Sequence, residues 1–239
     1  MHTFVDSLRW LIDGTHWSGP DGIPIRVLQH VEMSGAAVAI ASLIAIPAGM
    51  YIGHTGRLEF LFVSVANVGR AVPSFAILVV AYVVVLNLAP SLAFGFAPTV
   101  IALVLLAVPP VLTNTYVGVR AVDRDTVEAA RGMGMTERDL LLRLEVPLSA
   151  PLIMAGLRTA AVTVVATATL AALIGGGGVG RLIVDGFAQQ DRPMLVAGAI
   201  LVAIMAIVTE LGFAAVERAI TPRTSSSVRR RRVEPAPAV

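Results

Sequence analysis

The sequence predicts an all-α polytopic membrane protein, and two observations carry this prediction. Of its 239 residues, 56% are hydrophobic and 14% are charged, and the mean hydropathy is +0.81, whereas a soluble domain carries about 25% charged residues. In addition, five apolar runs approach or exceed the roughly 20 residues that a helix needs to cross a bilayer. These runs cover residues 31–52, 72–88, 99–119, 148–174 and 193–216.

Residues 1–30 precede the first run and are predicted to form an extracytoplasmic amphipathic segment. Apolar side chains such as Phe4 and Leu8 recur at helical spacing with charged residues between them, which is typical of a helix lying in the membrane interface. Trp10 and Trp17 suit the depth of the lipid headgroups. The segment is interpreted either as a membrane anchor or as a docking lip for an external partner.

The number of membrane spans depends on residues 58–68. This stretch is apolar but short, and Arg70 follows it closely. Because an arginine at mid-membrane costs about 2.5 to 3.5 kcal/mol, we place Arg70 near an interface and interpret the stretch as a lead-in to the second span. Five spans are therefore predicted, with six as the alternative.

Two patterns predict contacts between membrane helices. Gly49 and Gly53 form a G-x-x-x-G pattern, which favours close helix packing, although glycine is common in membrane helices without such a contact. Glu210 in the fifth run is predicted to form a structural ion pair with Arg158 or Arg218, since an ionised side chain inside a membrane needs a partner.

Polar residues inside apolar runs are the usual guide to a path through a membrane protein. The candidates in the third run are Thr113, Asn114 and Thr115, those in the fourth are Thr163, Thr167 and Thr169, and Asn87 lies near the outer end of the second. A threonine hydroxyl can also bond back to its own helix, so the threonines allow a purely structural interpretation as well. Asn114 is costlier to bury, which favours a role in the path or in a helix contact.

The charged insert at 123–147 separates the third and fourth runs. Asp125 is predicted to cap a first short helix, with Glu128 in the capping-box position. Gly134 is the residue type that ends a helix in the left-handed conformation. A polar helical insert between membrane spans indicates a contact with another molecule in the cytoplasm.

A second helix is predicted to follow within the insert. Thr136 is its expected N-cap, and Asp139 and Arg143 have the spacing of an i,i+4 ion pair with the acid first. Pro147 is predicted to end this helix just before the fourth run.

The distribution of arginines predicts the orientation. The sequence contains no lysine, and placing the insert in the cytoplasm leaves only Arg9, Arg26, Arg181 and Arg192 outside, as the positive-inside rule requires. Five spans then put the N-terminus outside and the C-terminus in the cytoplasm. The last segment, 221–239, is basic and Pro-rich and is predicted to be a disordered cytoplasmic tail that contacts anionic lipid or fixes the topology.

Gly175, Gly177 and Gly180 satisfy the pattern G-x-G-x-x-G of dinucleotide-binding proteins. That pattern indicates a dinucleotide site only where it lies between a strand and a helix. Here it follows a membrane span, so we reject a cofactor role. A loose turn and an external glycine hinge between the fourth and fifth spans remain as alternatives.

Composition excludes several classes of activity. A Walker A phosphate loop requires a lysine, and the chain has neither lysine nor cysteine. The four histidines are scattered and form no ligand pair, so no metal, cofactor or catalytic residue is predicted. Arginines at membrane edges explain the high isoelectric point better than nucleic-acid binding does.

The insert carries a recognisable motif. Glu128-Ala129-Ala130, three residues, Gly134, nine residues and then Leu-Glu-Val-Pro at 144–147 resemble the EAA motif of ABC importer permeases, E-A-A, three residues, G, nine residues, I-x-L-P. Leucine and valine replace the isoleucine and leucine of that pattern. In this family the loop is the coupling helix that docks into a groove of a cytoplasmic ATPase. The resemblance assigns coupling to Glu128, Ala129, Ala130, Gly134, Leu144 and Pro147.

The resemblance to ABC importer permeases covers about residues 31–216. Local sequence indicates which branch of that family the chain resembles. The segments 114–119 and 128–136 look most like permeases that import glycine betaine, choline, carnitine or proline betaine, while 70–74 and 175–180 are also similar to methionine permeases. It implies a permease subunit with a methionine-permease-like fold, in which ATP is hydrolysed by a partner. An importer of another small solute, such as methionine, is the alternative; a secondary transporter would need inverted repeats, and we see none.

The implied assembly has four kinds of component besides this chain. They are a cytoplasmic ATPase dimer, a second permease chain of the same or a related kind, an extracytoplasmic solute-binding protein and the lipid of the plasma membrane. Aromatic residues make up only 5% of the chain, and quaternary ammonium ions are normally held by aromatic rings. Solute recognition is therefore expected to lie mainly in the separate binding protein.

Overall fold

The computed structural model describes residues 2–57, 59–60, 62, 64, 69 and 71–220, and within them the regular secondary structure is entirely helical. This confirms the predicted all-α class. The helices that the structure describes from end to end, apart from the short 3₁₀ helices Gly14–Trp17 and Pro90–Leu92, are α1 (His2–Ile12), α2 (Ile23–Thr55), α3 (Ser74–Leu88), α4 (Phe96–Arg120), α5 (Arg124–Gly132), α6 (Glu137–Ile174), α7 (Gly180–Ala188) and α8 (Arg192–Ile220).

Each of the five predicted runs lies in a helix. Four of these helices, α2, α4, α6 and α8, are long and apolar enough to cross a membrane. The second run corresponds to α3, which has 15 residues and is therefore only about 22 Å long, less than the roughly 30 Å of a hydrocarbon core. It is shorter than its run because the helix begins only after Pro73. Most of the stretch 58–68 lies outside the described residues.

The helices alternate in direction, so their ends gather at two opposite ends of the bundle. At one end, here called the insert end, Arg120 pairs with Glu59 and His54 contacts Glu145. At the other, the far end, the Gly95 N–H donates to the Ile174 carbonyl over 3.3 Å. The N-terminal helix α1 packs at the far end, where Trp10 and Leu11 contact a small cluster of buried residues formed by Ile23, Val179 and Leu182.

Small residues bring α2 and α4 into close contact. A Cβ on Gly49 would lie 2.7 Å from the Cβ of Thr115, and a Cβ on Gly53 would lie 2.7 Å from that of Val119. Any side chain at either position would push the helices apart. The G-x-x-x-G pattern is therefore a helix contact, as one of its two interpretations predicts.

An ion pair joins α6 to α8. The Arg158 Nε lies 3.5 Å from a Glu210 carboxylate oxygen, which confirms the predicted pair. A second carboxylate shares the same guanidinium, since Arg158 Nη1 lies 3.2 Å from Glu217. Glu217 was not among the partners predicted for Arg158.

Candidate functional site

The first helix of the insert, α5, begins earlier than predicted. Its N-cap is Asp123, whose carboxylate accepts from the Thr126 backbone N–H at 3.0 Å and from the Thr126 hydroxyl at 2.8 Å. These two bonds, the hydroxyl first, lower the pKa of Asp123. The prediction that Asp125 is the cap is wrong, and this residue lies in the first turn. Since α4 ends at Arg120, the chain starts α5 at the first aspartate available.

Gly134 ends α5 as predicted. Its φ is +92°, in the region that side-chain-bearing residues rarely adopt. The Gly134 N–H donates to the Arg131 carbonyl at 3.0 Å and the Met135 N–H to the Ala130 carbonyl at 3.2 Å, which is the Schellman arrangement. The chain therefore bends sharply at Gly134.

The second helix of the insert also starts where the sequence predicts. The Asp139 backbone N–H donates to the Thr136 hydroxyl oxygen at 3.2 Å, so Thr136 is the N-cap. The predicted pair of Asp139 and Arg143 is present at 3.1 Å. Both signals are local in sequence, which explains why they could be recognised without a structure.

The prediction that Pro147 ends this helix is wrong. The helix α6 runs on for 38 residues, from Glu137 to Ile174. Just before the proline, Leu140–Glu145 is π-helical, and the Val146 N–H donates to the Leu141 carbonyl five residues back. A proline removes one N–H and crowds the carbonyl four residues earlier in a regular α-helix. The wider π turn ahead of Pro147 is where α6 departs from that regular pattern.

The tip of the insert is exposed and built from small residues. Glu128, Ala129 and Gly134 are exposed, whereas Ala130 is buried beneath them. Apart from the adjoining residues of the chain, no atom of the residues that the structure describes lies within 4 Å of the position that a Cβ on Gly134 would occupy. Met133 beside it is 79% exposed. Because Ala129 and Gly134 have a small side chain or none, another protein can approach the backbone of the tip closely.

Four side chains, here called the clasp cluster, connect this insert to α2: His54, Glu145, Glu137 and Arg131. The His54 Nδ1 donates to Glu145 Oε2 at 2.6 Å, and its Nε2 lies 3.4 Å from Glu137 Oε2. Glu137 in turn accepts from Arg131 Nε at 2.7 Å and from Nη2 at 3.0 Å. Only 8% of the Glu145 side chain is exposed, so it is a buried carboxylate with a nearby imidazole as its partner.

The clasp cluster was not predicted from the sequence. His54 and Glu145 are 91 positions apart, and the one available signal was an acidic residue embedded among leucines at the end of the insert. The cluster borders a cavity of about 310 Å³ that Arg120, Arg124 and Glu128 also line. In the part of the chain that the structure describes, no group of three or more His, Asp or Glu side chains is arranged to hold a metal ion.

A larger cleft of about 690 Å³ lies among α4, α6 and the start of α3. Three of the predicted path residues, Asn114, Thr163 and Thr167, line it, and Thr159 lies on the same face of α6. Thr115, Thr169 and Asn87 are not among its described lining residues. Thr113 is not in the lining, because neighbouring residues of a helix point about 100° apart. No charged side chain is found among the lining residues that the structure describes.

Three polar side chains along this cleft donate to carbonyls of their own helix. The Asn114 amide donates to the Pro110 carbonyl at 2.8 Å, and the Thr159 and Thr163 hydroxyls donate to the carbonyls four residues earlier at 2.9 and 2.8 Å. For Thr163 the structural interpretation is therefore correct for its hydrogen bond, while its oxygen still borders the cleft.

The glycine loop at 175–180 is at the far end and is tightly packed. A Cβ on Gly177 would lie 2.2 Å from the Gln29 side-chain oxygen, and one on Gly180 would lie 2.2 Å from the Thr169 carbonyl oxygen. Gln29 also accepts from the Gly178 N–H at 2.9 Å. These contacts argue against a loose turn, and a hinge role for Gly175, Gly177 and Gly180 stays a prediction. The helix α7, which begins at Gly180, was not predicted.

Comparisons with known proteins agree with this architecture. The family model of the binding-protein-dependent transport system inner membrane component matches residues 45–226. The chain is 38% identical to a carnitine transport permease protein, OpuCB, of Listeria monocytogenes over 86% of this chain and 91% of the relative. It is 36% identical to a choline transport system permease protein, OpuBB, of Bacillus subtilis (strain 168), over 82% and 88%.

Solved structures show the same fold. The chain is similar to one from the MetNI methionine ABC transporter in inward-facing conformations, with a TM-score of 0.74 and 17% identity, over 84% of this chain and 96% of that one. This likeness confirms the predicted methionine-permease-like architecture. The matched family consists of transport components and not of enzymes. Over three quarters of its length, and with relatives more than 30% identical, the chain belongs to the family of binding-protein-dependent transport system inner membrane components.

Proposed function

We propose that this protein is the membrane-spanning permease subunit of an ATP-driven importer of quaternary-ammonium osmoprotectants, such as glycine betaine, choline or carnitine. Family membership supports the permease role. Relatives at 36% and 38% identity are named for choline and carnitine transport, and these support the solute class. The methionine transporter shares the fold at only 17% identity and so gives little support to an amino acid as the solute.

The observation that carries the proposal is the exposed bend between α5 and α6. Its tip combines small side chains with a fixed turn at Gly134, and it projects from the bundle at the insert end. Such a surface suits insertion into the groove of a cytoplasmic ATPase. The proposed assembly comprises two ATPase subunits, a second permease chain and an extracytoplasmic binding protein, with the insert and the C-terminus in the cytoplasm and the N-terminus outside.

Coupling is proposed to work as a rigid-body switch between two states. The helix α6 is continuous through 38 residues, although Leu140–Glu145 is π-helical and Ala168–Ile174 is 3₁₀-helical, and it is about 57 Å long at the α-helical rise per residue. A displacement of its first turn by the ATPase therefore reaches the glycine loop at the far end. The binding protein delivers solute there, and ATP supplies the free energy.

The first test is affinity purification of the tagged chain from membranes in mild detergent. We expect an ATPase and a second permease chain, identical or related, to copurify with it. A chain that imports solute in the absence of any ATPase would instead be a secondary transporter, and that result would contradict the proposal.

Orientation can be tested with single cysteines because the chain contains none. We expect Met133→Cys, at a position 79% exposed, to react with a membrane-impermeant thiol reagent only after the cells are opened. Labelling of this cysteine in intact cells would place the insert outside and remove its access to a cytoplasmic ATPase.

The cleft lined by Asn114, Thr163 and Thr167 is proposed as part of the solute path. Its lining includes the amide of Asn114 and the hydroxyls of Thr163 and Thr167. We expect Thr163→Val to lower the maximal uptake rate about fivefold, because the variant replaces the hydroxyl oxygen, whose partial negative charge favours the cationic ammonium group of the solute, with a methyl group, and a loss of about 1 kcal/mol corresponds to about fivefold. Uptake of radiolabelled solute into proteoliposomes, at saturating binding protein, measures this rate.

Thr209→Val is the matched control for that variant. The Thr209 hydroxyl donates to the carbonyl four residues earlier at 2.8 Å, as the Thr163 hydroxyl does, but it lies on α8 beside a different, apolar groove. We expect its uptake to remain near that of the unmodified protein. Equal losses in the two variants would indicate a general effect on the helices and would contradict a path through the cleft.

A further inference from the structure

The π-helical segment Leu140–Glu145 is a weak point in the proposed coupling route. It lies between the bend of the insert and the regular part of α6, so a force applied to the insert has to pass through it. A π turn is an irregular, uncommon arrangement within an α-helix. Under load such a segment can stretch or unwind unless its two ends are held.

One histidine contacts both ends of this segment. Glu137 lies three residues before it and Glu145 is its last residue, and the two ring nitrogens of His54 face these two carboxylates at 3.4 and 2.6 Å. In a regular α-helix, residues eight positions apart are about 80° apart around the axis. The wider π turn rotates less per residue and so brings Glu137 and Glu145 toward one face.

The contact of His54 with Glu137 and Glu145 is held in place on the α2 side and on the insert side. His54 is in the last turn of α2, and its side chain is only 15% exposed. The neighbouring Gly53 fits against α4 so closely that a Cβ would lie 2.7 Å from Val119. On the other side, Arg131 at the end of α5 holds Glu137 through two hydrogen bonds. A buried carboxylate such as Glu145 is stable only with a partner of this kind.

We propose that His54 is a positioning residue that bridges the two ends of the π-helical segment and keeps it from deforming, so that displacement of the insert is transmitted to α6. This inference rests on the proposed coupling to an ATPase. It adds that α2, which is not adjacent to the insert in sequence, takes part in transmitting the displacement of the insert to α6. His54 touches no solute and acts through Glu137 and Glu145.

A distance measurement across the segment tests the proposal. Cysteines introduced at Arg138 and Leu148, both exposed, allow two spin labels to be attached on either side of the π turn. In the assembled importer we expect a narrow distance distribution with His54 and a broad one in His54→Ala. We also expect His54→Ala to reduce the solute imported per ATP hydrolysed by about fivefold or more, the lower range of typical coupling effects.

Two further variants and a control keep the test decisive. His54→Gln keeps one N–H donor and should partly restore both the narrow distribution and the import per ATP. Glu137→Gln leaves the buried contact between His54 and Glu145 intact. It should therefore change the distance distribution and the import per ATP less than His54→Ala does, and it changes only an exposed side chain. Thr55→Ala changes the next residue of α2, whose hydroxyl bonds only locally, and should match the unmodified protein.

The possible results separate the two proposals. A distance distribution in His54→Ala as narrow as in the unmodified protein, or import per ATP unchanged in that variant, overturns the role of His54. Failure of the unmodified chain to assemble with any ATPase overturns the proposed function instead. Broadening in His54→Ala together with equal broadening in Thr55→Ala also overturns the specific role of His54.

Discussion

Gly134→Val is expected to abolish most solute uptake while leaving the protein inserted in the membrane. At φ +92°, an L-residue pays roughly 1–2 kcal/mol for the left-handed conformation, and a β-branched side chain is especially unfavourable there. The bend between α5 and α6 will therefore open, and the tip will no longer fit its partner. We expect uptake to fall about tenfold, the change that corresponds to 1.4 kcal/mol, while the ATPase subunits continue to hydrolyse ATP.

Gly132→Val is the control for this prediction. Gly132 is the last residue of α5, and a Cβ there would also meet no atom within 4 Å. Since its backbone is helical and not left-handed, valine there costs only its lower helix propensity. Uptake and ATP hydrolysis should be measured together in proteoliposomes. Normal uptake in Gly134→Val would mean that the bend has no role in coupling.

Gly180→Ala is expected to cause the largest loss of stability. The new Cβ would lie 2.2 Å from the Thr169 carbonyl oxygen and 2.7 Å from the Thr169 Cα. These are backbone atoms, so α7 has to move away from the end of α6. Overpacking of this kind costs about 1–3 kcal/mol. We expect a clearly lower midpoint of thermal unfolding in detergent, followed by the fluorescence of the two tryptophans.

Gly212→Ala provides the comparison. A Cβ at this position on α8 would meet no atom within 4 Å, and alanine has a higher helix propensity than glycine by about 1 kcal/mol. Its unfolding midpoint should therefore equal or exceed that of the unmodified protein. Equal midpoints for Gly180→Ala and Gly212→Ala would show that the glycine loop is not constrained by the contacts described here.

The membrane helices could be predicted because the bilayer imposes a requirement that each helix meets by itself. A run of apolar residues has to be long enough, whatever its neighbours are, so the five runs could be recognised one at a time. The turn at Gly134 and the cap at Thr136 were also accessible, because their hydrogen bonds join residues within five positions of each other. The α3 helix came out shorter than its run because Pro73 precedes its first turn.

The site depends on contacts that no local pattern shows. Asp123 and Asp125 are equally good caps by residue type, and only the end of α4 at Arg120 decides between them. Pro147 normally indicates the end of a helix, but here a π turn precedes it and the helix continues to Ile174. The approach of His54 to Glu145 requires the close contact of α2 and α4, which the G-x-x-x-G pattern only suggested.

The unbroken course of α6 bears on how the importer keeps accumulated solute inside the cell. One helix reaches both mouths of the proposed path, with the insert at its first turn and the glycine loop beyond its last. In the proposed rigid-body switch, tilting of α6 widens one mouth of the path as it narrows the other. The barrier against leakage is then a geometric property of a single helix, and does not require two gates that are timed independently.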